Sequence, residues 1–137
     1  MKLMLLGNPV SCPRPRVSRW GAFYPKKYKQ AKADYSIQIR NQLNQYGFLQ
    51  FSGCVQIHIE FIHKRPKAMK GESRQYKPTR PDVDNLVKSV FDALTASGAI
   101  KDDSQIVRLS AVDLYGRRDE DPHILIEISQ IQSTPSN

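Results

Sequence analysis

The strongest constraint on the fold is the amphipathic run of residues 83–97. Apolar side chains recur there at i, i+3, i+4, i+7, i+8 and i+11, which is the spacing of one helical face. They are Val83, Leu86, Val87, Val90, Phe91 and Leu94. Gly98 follows, and a glycine in this place favours the left-handed cap that ends a helix. The run therefore predicts a helix with one buried face, which needs a partner layer elsewhere in the chain.

That partner layer is predicted from short strands. Runs with an apolar or alternating pattern occupy residues 2–6, 54–62, 106–115 and 123–129, and a second helical pattern runs from Pro25 to Tyr46. The order β, α, β, α, β, β predicts an α+β fold, a small mixed sheet with two main helices. We expect one domain over residues 1–130 and a flexible tail over residues 131–137.

Membrane and disulfide-bonded classes are not favoured. No apolar run approaches the length of about 18 residues that a membrane span needs, and the apolar start is too short for a secretory signal. Cys12 and Cys54 show neither a zinc-binding spacing nor nearby histidines. His58 and His63 are predicted to be surface residues. The sequence predicts a cytoplasmic protein with two free thiols.

The charge is distributed unevenly along the chain. Residues 1–81 hold 16 Lys/Arg against 3 Asp/Glu, and residues 82–137 hold 5 against 10, which gives the formal net charge of +8. A basic excess of this kind attracts polyanions such as nucleic acids. A solvated basic surface without a partner is the alternative.

The basic residues concentrate in two segments, the loop that begins near Pro13 and the irregular segment 64–81. Long loops of the second kind are often functional, and we expect it to order on substrate. The candidate DNA contacts are Arg14, Arg16, Arg19, Lys26, Lys27, Lys64, Arg65, Lys67, Lys70, Arg74, Lys77 and Arg80.

Three carboxylates and one lysine form the candidate catalytic set. Asp82 lies at the predicted N-cap and Asp84 in the first turn, where the helix dipole favours ionised carboxylates. Lys88 follows Asp84 by four residues, a spacing that also occurs as ordinary helix stabilisation. Asp103 lies beyond the helix, at the start of the next strand. If the fold brings these groups together, oxygen ligands without cysteine or histidine favour Mg²⁺ or Mn²⁺.

The same segment resembles the signature of the RusA-like Holliday junction resolvases. The matching motifs are DVDNLVK at 82–88, FDAL at 91–94 and DDSQIV at 102–107. The resemblance implies Mg²⁺ binding by Asp82, Asp84 and Asp103, and an essential Lys88 near the scissile phosphate. It also implies a homodimer that nicks opposite strands of a four-way DNA junction in recombination and repair, with no small-molecule cofactor. Asn85, Asp92 and Asp102 match family positions and are expected to have supporting roles.

The chain departs from this pattern at two places. Many relatives have a lysine where this chain has Ser11 and Cys12, and another where it has Asp113. Binding is then expected to rely on other arginines, including Arg117 and Arg118. Two further readings stay open at this point: a DNA-binding protein without catalysis, and a nuclease for flaps or other branched DNA. The resemblance also implies a phage or prophage setting.

Overall fold

The computed structural model describes residues 1–13, 16–48 and 50–135. The described elements form two layers, with two helices packed on one face of a five-stranded sheet. In chain order they are β1 (Lys2–Leu6), β2 (Arg16–Ser18), β3 (Gly21–Phe23), α1 (Lys26–Gln45), β4 (Val55–His63), β5 (Gln75–Tyr76), α2 (Val83–Ser97), a 3₁₀ turn (Asp103–Gln105), β6 (Ile106–Tyr115) and β7 (His123–Gln130). The predicted α+β fold is confirmed.

The sheet has the strand order β1-β7-β4-β6-β5 and is mixed. Strands β4 and β6 are parallel, whereas the other neighbours are antiparallel. A parallel pair needs a long crossover connection, and the segment that contains α2 supplies it. The crossover brings the start of α2 close to β6, which sets the position of the candidate site.

Both helices bury apolar side chains against the sheet. Tyr35 and Ile39 of α1 and Leu86 and Leu94 of α2 belong to one core cluster with alternate residues of β1, β4 and β7. Each buried aliphatic side chain of this size contributes about 1.5–3 kcal/mol. Helix α2 ends at Gly98, whose φ of 82° lies in the left-handed region, so the predicted glycine cap is confirmed.

Some local structure was not predicted from the sequence. Strand β1 buries only Leu3 and Leu5, because it is an edge strand with one face on the core. Strands β2 and β3 form a small hairpin inside the basic loop. Apolar periodicity does not reveal it, because residues 17, 18 and 21–23 are exposed.

The free edge of β1 is covered by glutamines of α1. The Gln42 side chain accepts a hydrogen bond from the Met4 N–H at 2.8 Å and donates to the Met4 carbonyl at 2.7 Å. Gln38 accepts from the Leu6 N–H at 2.8 Å. These amides take the place of a neighbouring strand, so this edge is closed to further pairing.

The long loop 64–81 has an internal anchor in Arg65. This side chain is buried, and its guanidinium donates four hydrogen bonds to backbone carbonyls, at 2.7 to 3.0 Å. The acceptors are Lys70, Gly71, Ser73 and Gly116. These contacts give residues 65–73 of the loop a defined path, and ordering of the loop on substrate stays a prediction.

Candidate active site

Two carboxylates lie at the amino-terminal end of α2. Asp82 is the N-cap residue, with extended backbone, and its side chain makes no capping hydrogen bond. Asp84 lies in the first turn, and its Oδ1 accepts a hydrogen bond from the Asn85 N–H at 2.9 Å. Both residues are exposed. Carboxylate oxygens are therefore accessible at this end of the helix.

The third carboxylate, Asp103, is positioned by the 3₁₀ turn. Asp102 caps that turn by accepting a hydrogen bond from the Ser104 N–H at 3.1 Å, which lowers the pKa of Asp102. Gln105 accepts from the Asp102 N–H at 3.1 Å and donates to the carbonyl of Phe51 at 3.1 Å. Hydrogen bonds therefore hold the turn at both ends, and the backbone of Asp103 has a defined position.

Lys88 connects Asp103 to α2. Its Nζ lies 2.9 Å from Oδ1 of Asp92 and 4.0 Å from Oδ2 of Asp103. The hydrogen bond to Asp92 is the main cause of a raised pKa at Lys88, with Asp103 adding to it. The lysine is thus cationic at neutral pH, and it pairs with Asp92 and Asp103 instead of the Asp84 that its spacing suggested.

The predicted metal ligands do not meet as one closed cluster. Within the described ranges, no three His, Cys, Asp or Glu side chains are close enough together to hold a metal ion. Asp103 lies beside Lys88, while Asp82 lines a separate cleft of about 460 Å³ together with Lys77 and Asp113. The donor set still suits a hard cation, because Mg²⁺ keeps several waters and needs only one or two protein carboxylates.

Asp92 has a second partner that the sequence analysis did not single out. The hydroxyl of Tyr28 donates to Oδ2 of Asp92, and the Cys12 thiol lies 3.9 Å from the same oxygen. Tyr28 is part of the apolar face of α1 by spacing, so its periodicity predicts only burial. A tyrosine hydroxyl that reaches a partly buried carboxylate has no signature in a single sequence.

Four predicted DNA contacts surround one cavity beside the site. Lys27, Lys64, Lys77 and Arg80 line a cavity of about 650 Å³, together with Tyr28, His63 and Tyr115. Arg80 directly precedes Pro81 and Asp82, so the cavity lies next to the start of α2. The fold therefore gathers basic groups from α1, the end of β4 and the loop before α2 near the carboxylates.

The other predicted DNA contacts differ in availability. Arg65 is used inside the protein, and Arg74 pairs with Glu120 at 2.6 Å. We accordingly leave Arg65 out of the DNA surface. Arg19 is exposed and its guanidinium lies 4.9 Å from the Trp20 ring centroid. Lys26, Lys67 and Lys70 are exposed, whereas Arg14 and the Arg16 side chain lie outside the described residues.

His63, which lines the cavity, is paired with Asp113. Nε2 of His63 lies 2.6 Å from Oδ1 of Asp113. His63 was predicted to be a surface residue, which is wrong because the end of β4 is enclosed by the loop 64–81 and by β6. The carboxylate of Asp113 is thus directed to a histidine.

Comparison with known proteins decides the family. The family model described as Endodeoxyribonuclease RusA matches residues 7–129. The chain belongs to the RusA endodeoxyribonuclease family. The resemblance stated for residues 82–107 is confirmed, and with it the prediction of an enzyme of this class.

Two relatives are similar to this RusA-family chain, one over nearly its whole length and one over about half of it. The uncharacterized protein YqaN of Bacillus subtilis (strain 168) is 32% identical over 146 residues, which cover 97% of this chain and 98% of YqaN. The crossover junction endodeoxyribonuclease rusA of Lactococcus phage r1t is 42% identical over 66 residues, which cover 47% of this chain and 48% of the phage protein.

Two further features agree with the sequence analysis. In the part of the chain that the structure describes, no helix is long and apolar enough to cross a membrane. Cys12 and Cys54 are both free, as predicted.

Proposed function

We propose that this RusA-family protein is a Mg²⁺-dependent endonuclease that resolves four-way DNA junctions by paired nicks. The observation that carries the proposal is the arrangement around Lys88: an ammonium that lies between Asp92 and Asp103, on the helix that also carries Asp82 and Asp84. The name of the phage relative, a crossover junction endodeoxyribonuclease, supports a junction as substrate.

The proposed metal ligands are drawn from Asp82, Asp84 and Asp103, of which a bound Mg²⁺ would need only one or two at a time. All three present carboxylate oxygens, the ligands that Mg²⁺ and Mn²⁺ prefer. When bound, such a cation supplies activation of water and stabilisation of negative charge on the phosphate. Asp102 supports the site by capping the turn that carries Asp103. Asn85 is proposed to support the start of α2, where its N–H donates to Asp84.

Lys88 is proposed to offset the charge that develops on the scissile phosphodiester. Its ammonium is half-exposed, and Asp92 and Asp103 keep it cationic at neutral pH by raising its pKa. A fixed cation that faces the place where negative charge develops stabilises the transition state more than the ground state. Lys88 also positions Asp103, because the two groups lie 4.0 Å apart.

The basic cavity is proposed to bind the backbone of the DNA next to the cleavage point. Lys27, Lys64, Lys77 and Arg80 reach it from three separate parts of the chain. Cations from several directions suit a backbone that turns sharply, as it does at a branch. With Lys26, Lys67 and Lys70 nearby in sequence, the release of counterions from phosphates accounts for affinity.

The open edge of β6 is proposed to pair with a second copy of the chain. Strand β5 covers β6 only at Leu114 and Tyr115, and the rest of that edge has no strand partner among the described residues. Val107 and Leu109 are 57% and 45% exposed beside it. An unpaired, partly apolar edge favours strand addition, and two-fold pairing of β6 would bring two active sites to opposite strands of one junction.

The relatives come from a bacterium and a bacteriophage. We propose that this chain acts in the bacterial cytoplasm, where the DNA of both is recombined and repaired.

The test is cleavage of a labelled synthetic four-way junction, beside linear duplex and flap DNA of the same sequences. Wild type and Asp84→Asn are each assayed with Mg²⁺ and with EDTA. We expect symmetrical nicks in the junction alone, present with Mg²⁺ and absent with EDTA or in the variant.

Two other outcomes would replace the proposal. Binding without cleavage under Mg²⁺ and Mn²⁺ would identify a DNA-binding protein that has lost catalysis. Cleavage of flaps at a rate equal to or above that of junctions would identify a nuclease for other branched DNA.

A further inference from the structure

The carboxylate of Asp92 receives donors from two helices at once. On one oxygen it accepts a hydrogen bond from the Tyr28 hydroxyl of α1, and on the other from the Lys88 ammonium at 2.9 Å. The Asp92 side chain is 18% exposed. The two hydrogen bonds involve different oxygens. The bond from Tyr28 to Oδ2 fixes the plane of the carboxylate, which directs Oδ1 to Lys88.

Lys88 depends on this anchor for its direction. A lysine side chain has four rotatable bonds, and its ammonium can donate hydrogen bonds in several directions. Half of the Lys88 side chain is exposed, and its second contact, to Asp103, is longer at 4.0 Å. The short hydrogen bond to Asp92 therefore selects the rotamers that keep the ammonium beside Asp103.

The electrostatics agree with an ionised anchor. Burial alone would raise the pKa of Asp92, but the hydrogen bonds from Tyr28 and Lys88 outweigh burial and hold it below its usual value. Burial, together with the carboxylate, raises the pKa of Tyr28, so its hydroxyl remains a donor at neutral pH. Tyr28 is 3% exposed, and water does not compete freely for this hydrogen bond.

We propose that Tyr28 is a positioning residue for catalysis, which orients Asp92 and through it holds the Lys88 ammonium beside Asp103. This inference rests on the proposed function, because Lys88 is taken to act on the scissile phosphate. It extends the site from α2 to the first turns of α1, where Lys27 lines the basic cavity. DNA contact and the orientation of Lys88 are thereby linked through one helix.

The test is single-turnover cleavage of a four-way junction at saturating enzyme, with Tyr28→Phe and Tyr24→Phe. Phenylalanine keeps the ring that Tyr28 packs and removes only the hydroxyl. Tyr24 is the matched control, since its ring packs on Tyr28 with centroids 5.3 Å apart. We expect Tyr28→Phe to slow cleavage about tenfold, the effect of losing one hydrogen bond to a charged group, with junction affinity unchanged. Tyr24→Phe should cleave at the wild-type rate.

A double-mutant cycle separates positioning from stability, because a buried tyrosine hydroxyl needs a partner in any protein. Adding Tyr28→Phe to Lys88→Ala should slow cleavage no further, since the lysine that it positions is gone. An equal loss in both backgrounds, or a wild-type rate in Tyr28→Phe, would overturn the proposal.

A second readout does not depend on activity. The ¹⁵N-labelled Lys88 ammonium, assigned by its loss in Lys88→Ala, should give a resolved signal in wild type and in Tyr24→Phe that broadens in Tyr28→Phe. If wild type fails to cleave junctions, the proposed function falls, and this signal still decides whether Tyr28 holds Lys88. An unchanged signal in Tyr28→Phe would overturn the positioning role.

Discussion

Nε2 of His63 lies 2.6 Å from Oδ1 of Asp113, and the two side chains are 6% and 10% exposed. Burial lowers the pKa of His63, with the Asp113 carboxylate opposing the shift and Lys77 adding to it. Burial raises the pKa of Asp113, although His63 and Lys77 oppose that shift. The folded protein therefore resists protonation of this histidine.

Acidification should destabilise the protein through His63. As pH falls through the ordinary histidine pKa of about 6.5, the unfolded chain takes up a proton before the folded chain does, so the free energy of unfolding decreases. The free energy of unfolding continues to decrease until the pH falls below the lowered pKa of His63 in the folded protein. Each pKa unit of lowering corresponds to about 1.4 kcal/mol. The free energy of unfolding should be measured in urea between about pH 8 and about pH 5, a range that brackets the ordinary histidine pKa of about 6.5. Its decrease with falling pH should be smaller in His63→Gln than in wild type.

The control for this measurement is His123→Gln, because the His123 ring is only partly buried and contacts the Asp121 carbonyl at 2.9 Å. Its pH dependence should follow that of wild type. If the slopes of His63→Gln and wild type coincide, the acid sensitivity belongs to other groups.

Removal of Arg65 should loosen the long basic loop. Arg65→Met removes the guanidinium donor from four backbone carbonyls, of which those of Lys70 and Gly71 keep a second donor. We expect a loss of about 2–4 kcal/mol in the free energy of unfolding. Hydrogen exchange over residues 66–74 should accelerate. Lys67→Met, at an exposed position in the same loop, should stay within about 0.5 kcal/mol of wild type. Equal stability of the two variants would contradict the anchor role.

Variants of Asp103 and Asp102 should distinguish a role in catalysis from a role in forming the turn. Asp103→Asn weakens a proposed metal ligand, and we expect junction cleavage to fall by about 100-fold or more while junction binding persists. Asp102→Asn keeps an oxygen that accepts from the Ser104 N–H, so cleavage should stay within about threefold of wild type. Rates are measured under single turnover. Equal losses would mean that Asp103 acts only through the turn.

The basic cavity should account for part of the salt dependence of DNA binding. Lys27→Ala and Arg80→Ala should each lower the slope of log affinity against log salt by about 0.9, as for one lost phosphate contact. Arg40→Ala is the matched control, since Arg40 lies beside Gly98 at the other end of α2. Fluorescence anisotropy of a labelled junction with EDTA gives the slopes. An effect of Arg40→Ala as large as the others would indicate a diffuse basic surface.

The elements follow from the sequence better than the site does. Period-3.6 and period-2 patterns locate α1, α2, β4, β6 and β7, because burial on one face dictates them. The signature at residues 82–107 identifies the family. Contacts between distant segments, such as Tyr28 with Asp92 and His63 with Asp113, depend on how the layers pack. Spacing along one chain carries no information about them, which is why Lys88 was expected to pair with Asp84.

The open edge of β6 supports a prediction about assembly. Leu109→Lys places a charge beside the edge proposed for two-fold pairing, and we expect a dimeric wild type to become monomeric in sedimentation velocity. Met4→Lys is the matched control, because Met4 is 43% exposed, close to the 45% of Leu109, while the edge of β1 is already covered by Gln42.

The same variants link assembly to the paired nicks. A monomer retains Asp82, Asp84, Lys88 and Asp103 within one chain, yet it presents one site to a junction that has two strands to cut. Leu109→Lys should therefore leave single nicks and few resolved products, whereas Met4→Lys should resolve junctions as wild type does. If Leu109→Lys remains dimeric, the two copies meet on another surface. A monomeric wild type that makes paired nicks would remove the need for a dimer.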